Sequence, residues 1–342
     1  MVKKLVGVCA NFGNNEKATN GQVIKTQILL NELKSQLGKV EIVNTNGGFK
    51  DIFKITKEFG KLCKKCKNVV ILPAQNGLKL FLPLSFVFGK IHKTKIHYVV
   101  VGAWLAEILS KNPILLYFAK RIDMIYPETT VLCQSLKELG ITNTQVMPNF
   151  KYLNIVEKPK TNHQAPFRLC TFSRVMEEKG IEDAIKVVKR LNSEAGKTLF
   201  TLDIYGEIDS EYEFRFNNLR ANFPDSIKYR GVVEFDKSTF VLKDYFALLF
   251  PTKFKTEGHP GTILDAYAAG VPVIARRWNS ADEIIFQMQT GMIYNEEYQL
   301  GPTLLFASEH GDIMDKLRYN CILKAEDYKP SNIITLLIEN LQ

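Results

Sequence analysis

Short runs of apolar, often β-branched residues recur along the chain, and longer segments with a helical period separate several of them. Between the first two runs, Val23, Leu30, Leu33 and Leu37 follow the period of a helix that ends at Gly38. Nearly continuous apolar strands are typical of a parallel sheet buried on both faces, so the pattern predicts an α/β fold. The predicted strands are residues 5–10, 40–45, 69–73, 96–101, 130–134 and 144–147, followed by 167–173, 198–206, 227–232, 245–251, 271–275 and 292–294.

The alternation of strands and helices lapses over the polar segment 157–166, which contains two prolines and is typical of a linker. At 342 residues the chain is long enough for two domains with separate cores. We expect a Rossmann-like domain at 1–155 and a second at 166–325. A final helix within 326–342, which Ser331 can cap, is expected to pack back on the first domain. Ligands of such sheets bind beyond the carboxyl ends of the strands, so the cleft between the two domains is the expected site.

Positive charge is concentrated in the first half of a chain whose formal net charge is +9. Residues 1–150 hold 21 Lys and Arg against 9 Asp and Glu. Many of these lysines border the apolar segment 80–88, which predicts contact with anionic lipid headgroups; solubilising lysines on helix faces are the alternative. No motif interleaves them with stacking aromatic residues, so nucleic acid is not an expected partner. The lysines are at positions 54, 57, 61, 64, 65, 67, 90, 93 and 95.

Location and cofactors follow from what the sequence lacks. No apolar run approaches the roughly 18–20 residues of a membrane span, and the first residues carry no signal-peptide cleavage site. We expect a cytoplasmic protein that binds peripherally to the inner face of the membrane. Cys63 and Cys66 have no further ligands nearby to complete a zinc site, and there is no Asp-x-Asp motif or histidine cluster. No metal cofactor is expected.

A helix start within residues 256–275 is the most specific local signal in the sequence. Pro260 suits the first helical turn and Gly270 suits the position just past a helix end, which predicts a helix over about 260–269. Unpaired backbone amides and the positive end of the helix dipole favour a phosphate at such a start. The amides concerned belong to Gly261, Thr262 and Ile263.

Two carboxylates flank this helix start. Glu257, in the preceding loop, can accept hydrogen bonds from sugar hydroxyls, and Asp265, one turn inside the helix, can accept two from a ribose. The alternative is a solvated loop residue and an ordinary helical acid. The residues around Asp265 are almost all apolar, and a buried acid among them favours a ligand-binding role. His259, between the two acids, either touches the sugar or fills the loop.

A pair of cations follows the first strand of the predicted second domain. Arg174 would meet a diphosphate as a planar fork and Lys179 as a point charge. Taken alone, cations in a loop are usually exposed to solvent. Together with the helix start at residue 260, they favour a diphosphate site in the second domain.

The order of these motifs resembles that of the retaining glycosyltransferases of family four, which have the GT-B fold of two facing Rossmann-like domains. The resemblance covers most of residues 167–295, from Ser-Arg-x4-Lys-Gly at 173–180 to the run from Glu257 to Asp265. The first domain is less similar. Its Asn20-Gly21-Gln22-x2-Lys25-Thr26 and Pro148-Asn149-Phe150 look like members of the family that build surface polysaccharides.

The resemblance implies a role for each matching residue. Arg174 and Lys179 would bind the donor diphosphate and support catalysis together with Glu257, which would bind hydroxyls of the transferred sugar, while Asp265 would bind the ribose. The family usually has Glu at this last position, so Asp265 is one methylene shorter. The first-domain histidine of many members has no counterpart here, because the strand 96–101 continues into glycine, alanine and tryptophan. Further donor contacts are implied for Gly21, Gly206, Arg230, Gly231, Val232, His259, Gly261, Thr262 and Ile263.

The function implied is transfer of a hexosyl group from a nucleoside-diphosphate sugar to a saccharide acceptor, with retention of configuration and without a metal. A lipid-linked acceptor would account for the basic first domain, where Lys25, Asn76, Gly77 and Lys79 are the candidate contacts. Two alternatives remain open, a nucleotide-sugar 2-epimerase of similar fold and a non-catalytic, membrane-associated scaffold.

Overall fold

The computed structural model describes residues 4–13, 21–46, 51–161 and 163–341. The chain divides into two compact units, and neither is one continuous segment. The first unit comprises Met1–Tyr152, Thr256–His259 and Tyr328–Gln342, and the second comprises Leu153–Lys255 and Pro260–Asp327. None of the helices within these described ranges is long and apolar enough to cross a bilayer.

The first unit is built on a five-stranded parallel sheet of order β2-β1-β3-β4-β5. Its strands are β1 (Lys4–Ala10), β2 (Glu41–Asn44), β3 (Cys66–Leu72), β4 (Lys95–Val99) and β5 (Met124–Tyr126). Its helices are α1 (Gly21–Leu37), α2 (Ile52–Lys65), α3 (Gln75–His92), α4 (Leu105–Ser110), α5 (Pro113–Ala119), α6 (Thr130–Glu138) and α14 (Pro330–Leu341).

Two apolar layers cover the faces of this sheet, as its continuous apolar strands require. Helices α2 to α6 contribute to the core on one face, and α1 and α14 form the core on the other. Helix α14 buries Ile334, Leu337 and Leu341 completely. Its end is also tied to the sheet, because the Asn68 side-chain amide donates to the Leu341 carbonyl at 2.6 Å. The last helix is therefore part of the core of the first unit.

The predicted strand at 130–134 is wrong, because these residues form the start of α6. The Thr129 hydroxyl accepts a hydrogen bond from the Leu132 amide at 3.2 Å and caps the helix. Leu132 and Leu136 then lie one turn apart on the buried face, so a short apolar run belonged to a helix rather than a strand. The missed strand is β5, while the predicted strand at 144–147 is reduced to an isolated bridge between Thr144 and Ile125.

The second unit has a six-stranded parallel sheet of order β11-β10-β9-β6-β7-β8, and all six strands lie where the sequence predicts them, with shifted ends. The strands are β6 (Phe167–Phe172), β7 (Phe200–Tyr205), β8 (Ile227–Gly231), β9 (Ala247–Phe250), β10 (Val273–Arg276) and β11 (Gly291–Tyr294). The helices are α7 (Ile181–Glu194), α8 (Glu213–Arg220), α9 (Ser238–Leu242), α10 (Gly261–Ala268), α11 (Ala281–Ile284), α12 (Leu300–Glu309) and α13 (Gly311–Ala325).

A buried arginine ties α13 to the sheet of the second unit. The Arg318 guanidinium donates to the carbonyls of Tyr245, Phe246 and Gly270 at 2.8 to 3.3 Å. Its burial lowers the pKa of Arg318 to about 10, so the side chain stays charged at neutral pH. Since Gly270 follows α10, this arginine fixes the carboxyl end of that helix.

The stability of the first unit is expected to depend on pH through His97 in β4. Its ring nitrogens face the Tyr126 hydroxyl at 3.1 Å and the Asn68 side-chain oxygen at 3.2 Å. Burial, assisted by the charge of Lys95, lowers the pKa of His97 to about 4. An unfolded chain binds this proton near its ordinary pKa of about 6.5, so the stabilisation is complete above about pH 6.5 and is lost as the pH falls toward 4.

Urea unfolding at about pH 7.5 and about pH 5 measures this dependence. His97 should account for a loss of about 2 kcal/mol between the two values, which a His97→Gln variant should not show. An equally steep loss in the variant would assign the pH dependence to other groups.

Candidate functional site

Helix α10 lies where the sequence predicts it and is one residue shorter at each end. Pro260 is its N-cap, and Gly270 follows its end with a left-handed φ of 65°. The Ile263 amide donates to the Pro260 carbonyl at 3.1 Å, which leaves the Gly261 and Thr262 amides without a partner among the described residues. The Thr262 hydroxyl also has no partner there, although its oxygen is buried. The first turn thus keeps donors for an anion, with the correction that Ile263 is not one of them.

Asp265 lies on this helix among fully buried residues. Asp265 is only 4 % exposed, so in this conformation a ribose can touch only a small part of this residue. The aspartate is one methylene shorter than a glutamate, which adds to this depth. A water-mediated contact is therefore the geometry to expect if Asp265 serves a ribose.

Arg174 and Lys179 lie in the loop between β6 and α7. The Arg174 side chain is 57 % exposed, and its guanidinium is 3.7 Å from the Asp209 carboxylate. Lys179 ends a single 3-10 turn, with its ammonium 5.8 Å and 5.6 Å from the ring centres of Phe250 and Phe254. Since β6 and β9 are neighbouring parallel strands, this loop and the segment leading to α10 lie at the same edge of the sheet.

Two glycines allow these loops to approach one another. A Cβ at Gly180 would lie 2.0 Å from the Pro251 carbonyl oxygen, and one at Gly206 would lie 1.8 Å from that of Ser173. Both glycines also have positive φ angles, of 66° and 136°. Gly206, a predicted donor contact, therefore has a structural role in bringing the ends of β6 and β7 together.

Further cations lie beside this edge of the second unit. The Lys253 ammonium is 2.9 Å from the carboxylate of Asp183, a buried residue in the first turn of α7, and Arg276 is 4.0 Å from the same carboxylate. The Lys253 amide also donates to the Glu178 carbonyl at 2.7 Å. Asp183 therefore partly neutralises the charges of Lys253 and Arg276.

The end of β8 presents backbone rather than a free guanidinium. Arg230 Nε donates to the Asp203 carboxylate at 2.7 Å, and this bond raises the pKa of Arg230. The Tyr245 hydroxyl donates to the same carboxylate at 2.7 Å. Gly231 has a positive φ of 78°, and Val232 is exposed. A ligand at 230–232 would thus meet mainly backbone atoms.

Residues 256–259 are held by other residues of the first unit. The Glu128 carboxylate accepts hydrogen bonds from the amides of His259 at 3.3 Å and Gly102 at 2.9 Å. The Asn149 side chain donates to the His259 carbonyl at 2.9 Å, and its backbone amide donates to the His259 ring at 3.3 Å. Glu257 is itself buried. His259 is therefore packed within the loop in this conformation, with ring Nδ1 accepting from the Asn149 amide.

The predicted acceptor contacts separate into two groups. Lys25, a predicted acceptor contact, is buried with its ammonium 2.6 Å from Glu128, so an acceptor cannot reach it in this conformation. Asn76 and Gly77 lie at a groove of about 230 Å³ beside the ends of β1 and β3, whereas the exposed Lys79 does not line it. The described side chains that line the groove are uncharged, and most are apolar: Ile52, Ile55, Leu72, Pro73, Ala74, Leu80 and Phe81.

The beginning of α1 is the remaining predicted donor contact. Gly21 is exposed, and a Cβ there would meet nothing within 4 Å, so the structure does not require glycine at this position. Asn20 of the same motif lies outside the described residues. Within the described parts of the chain, no group of three or more His, Cys, Asp or Glu side chains is placed to hold a metal ion.

Part of this chain is similar in sequence to known glycosyltransferases. Residues 166–300 match the family described as glycosyl transferases group 1. The uncharacterized glycosyltransferase MJ1069 of Methanocaldococcus jannaschii is 22 % identical over 235 residues, which cover 62 % of this chain and 59 % of that protein. The amylovoran biosynthesis glycosyltransferase AmsK of Erwinia amylovora is 24 % identical over 138 residues, covering 39 % and 33 %. The chain thus spans less than two thirds of the length of these curated relatives.

The crystal structure of Anabaena Alr3699/HepE in complex with UDP extends the comparison to the whole chain. It is 13 % identical, has a TM-score of 0.76 and covers 99 % of both chains. The fold is GT-B. This confirms the predicted fold class, and within that fold residues 166–300 carry the match to glycosyl transferases group 1.

In this GT-B chain, the residues that match the family include both cations, the start of α10 and the loop 256–259. Sequence reasoning missed Glu128, whose carboxylate lies against that loop. The signal available was a glutamate two residues after a short strand, at the edge where parallel sheets bind ligands. Because β5 was not predicted, Glu128 was not placed at that edge.

Proposed function

We propose that the protein is a retaining glycosyltransferase that moves a hexosyl group from a nucleoside-diphosphate sugar to a saccharide acceptor in surface polysaccharide synthesis. The single observation that carries the proposal is that two cations and the amide donors of α10 lie at the same edge of the second sheet. A diphosphate is the ligand that such a set of donors suits. The match of residues 166–300 to glycosyl transferases group 1 supports the same assignment.

Each residue has a stated part in the proposed reaction. Arg174 and Lys179, with the Gly261 and Thr262 amides, would stabilise the negative charge that develops on the departing diphosphate. Arg174 would exchange its contact with Asp209 for the phosphate. Glu257 would orient the transferred sugar, and Asp265 the ribose. We propose attack on the face from which the diphosphate departs, with a leaving phosphate oxygen taking the acceptor's proton, so that neither a metal nor a protein base is required.

UDP-glucose is the first donor to test, because HepE has been crystallised with UDP, with UDP and glucose, and with UDP-glucose. The protein would be incubated with UDP-glucose, with and without extracted lipid-linked saccharides. Glycosylated product only in the presence of acceptor supports a transferase, with slow hydrolysis at most in its absence. Conversion of the donor to its epimer without acceptor would instead establish the 2-epimerase, and no turnover of any nucleotide sugar would favour a scaffold.

We further propose that the first unit binds an anionic membrane surface. Helices α2 and α3 pack together, as do α3 and α5. On α2, Phe53 is 88 % exposed and lies next to Lys54. On α3, the exposed Ile91 follows Lys90, and just after α5 the Arg121 guanidinium lies 3.5 Å from the ring centre of Tyr117 on that helix. Exposed apolar side chains among cations are the combination that an anionic lipid interface accommodates.

Charge reversal on α2 is expected to release the protein from vesicles. Each lysine near an anionic surface contributes about 1 kcal/mol, so Lys54→Glu with Lys57→Glu should lower vesicle binding by a factor of ten or more. Co-flotation with phosphatidylglycerol vesicles at low salt measures this. The control is Lys189→Glu with Arg190→Glu on α7 of the second unit. Equal losses in the two double variants would indicate a general charge effect and contradict this surface.

A further inference from the structure

Glu128 is a buried carboxylate that joins three separate segments of the first unit. One oxygen accepts from the Lys25 ammonium at 2.6 Å, and the other accepts from the Gly102 amide at 2.9 Å and the His259 amide at 3.3 Å. The side chains of Lys25 and Glu128 are each 3 % exposed. Lys25 Nζ also lies 3.4 Å from the Val100 carbonyl and 5.4 Å from the Phe150 ring centre.

A buried ion pair is weak evidence for stability, because desolvation of the two charges offsets much of their attraction. Packed apolar residues would fill the same space as well. The pair instead fixes the orientation of the Glu128 carboxylate. Because Lys25 binds one oxygen, the other oxygen points toward the two backbone amides. Hydrogen bonds from an ionised acceptor are short and directional, so they fix the position of the backbone that donates to them.

The backbone fixed in this way belongs to the loop that carries Glu257. A Cβ at Gly258 would lie 2.4 Å from the Glu128 carboxylate and 2.8 Å from Gly102 Cα, so the loop lies directly against the carboxylate. Beyond Gly258, Asn149 donates two hydrogen bonds to His259. The Tyr328 ring packs edge-on against the imidazole, with 4.9 Å between the ring centres. These contacts hold the residues that follow Glu257 from both sides.

We propose that Lys25 and Glu128 form a positioning pair that sets the backbone of Glu257 for its contact with the transferred sugar. Neither residue touches the substrate. The inference rests on the proposed function, since Glu257 needs a fixed position only if it binds the sugar. It also replaces the acceptor role that the sequence analysis gave to Lys25 with a role in the donor sugar's loop.

The Glu128→Gln variant changes the hydrogen bonds of this side chain while keeping its size. Glutamine has one acceptor oxygen where glutamate has two, and its NH2 group is a donor. In Glu128→Gln the Lys25 ammonium competes for that oxygen, which turns the NH2 group toward the amides of Gly102 and His259. Adding Lys25→Met removes the competitor, so the glutamine oxygen can rotate to the two amides. The double variant should therefore regain the hydrogen bonds from the Gly102 and His259 amides that the single variant loses.

The first readout is backbone amide exchange in the full chain, which does not depend on catalysis. We expect the His259 amide to exchange at least tenfold faster in Glu128→Gln and to return toward the wild-type rate in Lys25→Met with Glu128→Gln. The matched control is His97→Gln, another buried polar change in the same unit, whose hydrogen bonds are to Tyr126 and Asn68. His259 exchange that is unchanged in Glu128→Gln would overturn the proposal.

The second readout is turnover of the nucleotide sugar. Displacement of a reacting group by about 1 Å costs up to about a hundredfold in rate, so kcat in Glu128→Gln should fall ten- to a hundredfold while UDP affinity stays unchanged. The double variant should recover most of kcat, and His97→Gln should keep it. Normal kcat with a loosened loop would also overturn the proposal. If the wild type turns over no nucleotide sugar, the proposed function fails, and the exchange rates alone decide whether Glu128 positions the loop.

Discussion

Replacing Arg174 and Lys179 together by alanine is expected to weaken UDP binding by about a hundredfold, which is about 3 kcal/mol. Both side chains would make charge-assisted contacts to the diphosphate, and the exposure of Arg174 keeps the expected effect below the sum of two buried bonds. Isothermal titration calorimetry of the double variant and the wild type with UDP measures the loss directly. Each single variant should retain part of the affinity, because the other cation and the α10 amides remain.

The matched control removes the same charge elsewhere in the second unit. Lys189 and Arg190 lie in the carboxyl-terminal half of α7, whereas Lys179 lies just before the start of that helix. Lys189→Ala with Arg190→Ala should change UDP affinity by less than about threefold at physiological salt, where distant charges are screened. Undiminished affinity in the Arg174 and Lys179 variant would remove the physical basis of the proposed donor site.

Replacing Glu257 by glutamine should lower kcat by about a hundredfold or more while UDP affinity changes little, because its proposed partner is the sugar rather than the nucleotide. Glutamine keeps the size of the side chain but has one acceptor oxygen and a donor in place of the second, so hydroxyl contacts that strengthen in the transition state are lost. Steady-state turnover of UDP-glucose with acceptor, combined with UDP titration, gives both quantities.

Two further variants serve as a contrast and a control for Glu257→Gln. Asp265→Asn should show the opposite pattern, a loss of UDP affinity with a smaller change in kcat, since its proposed partner is the ribose. Glu107→Gln, which removes an exposed carboxylate paired with Lys111, should change neither. If Glu257→Gln lowers UDP affinity as much as it lowers kcat, Glu257 acts on the nucleotide or on folding, and its proposed role is wrong.

Local signals predicted most of the second unit. Pro260 and Gly270 delimit α10 through backbone geometry that depends on a few neighbouring residues, and the buried strands of this sheet read as continuous apolar runs. The same reasoning failed at 130–134, where an apolar run of strand length lies in α6. Periodicity cannot separate a short buried helix from a strand, and the cap at Thr129 decided the outcome.

The parts of the site that sequence reasoning missed depend on long-range contacts. Lys25 and Glu128 are 103 residues apart, and Glu128 and His259 are 131 apart. No pattern within either segment reveals that these residues meet, and a lysine is far more often exposed than buried. The role predicted for Arg230 as a donor contact stays a prediction, and its pairing with Asp203 followed only from the register of neighbouring strands.

The division of the chain has a consequence for any attempt to take the protein apart. The polypeptide passes from one unit to the other four times, after Tyr152, Lys255, His259 and Asp327. A single cut in the linker would therefore leave a fragment without the fully buried Leu337 and Leu341, and without the peptide seated on Glu128. A chimera that replaces the second unit with that of a related protein would therefore have to keep residues 256–259 and the terminal helix together with the first unit, or redesign the contacts that they make there.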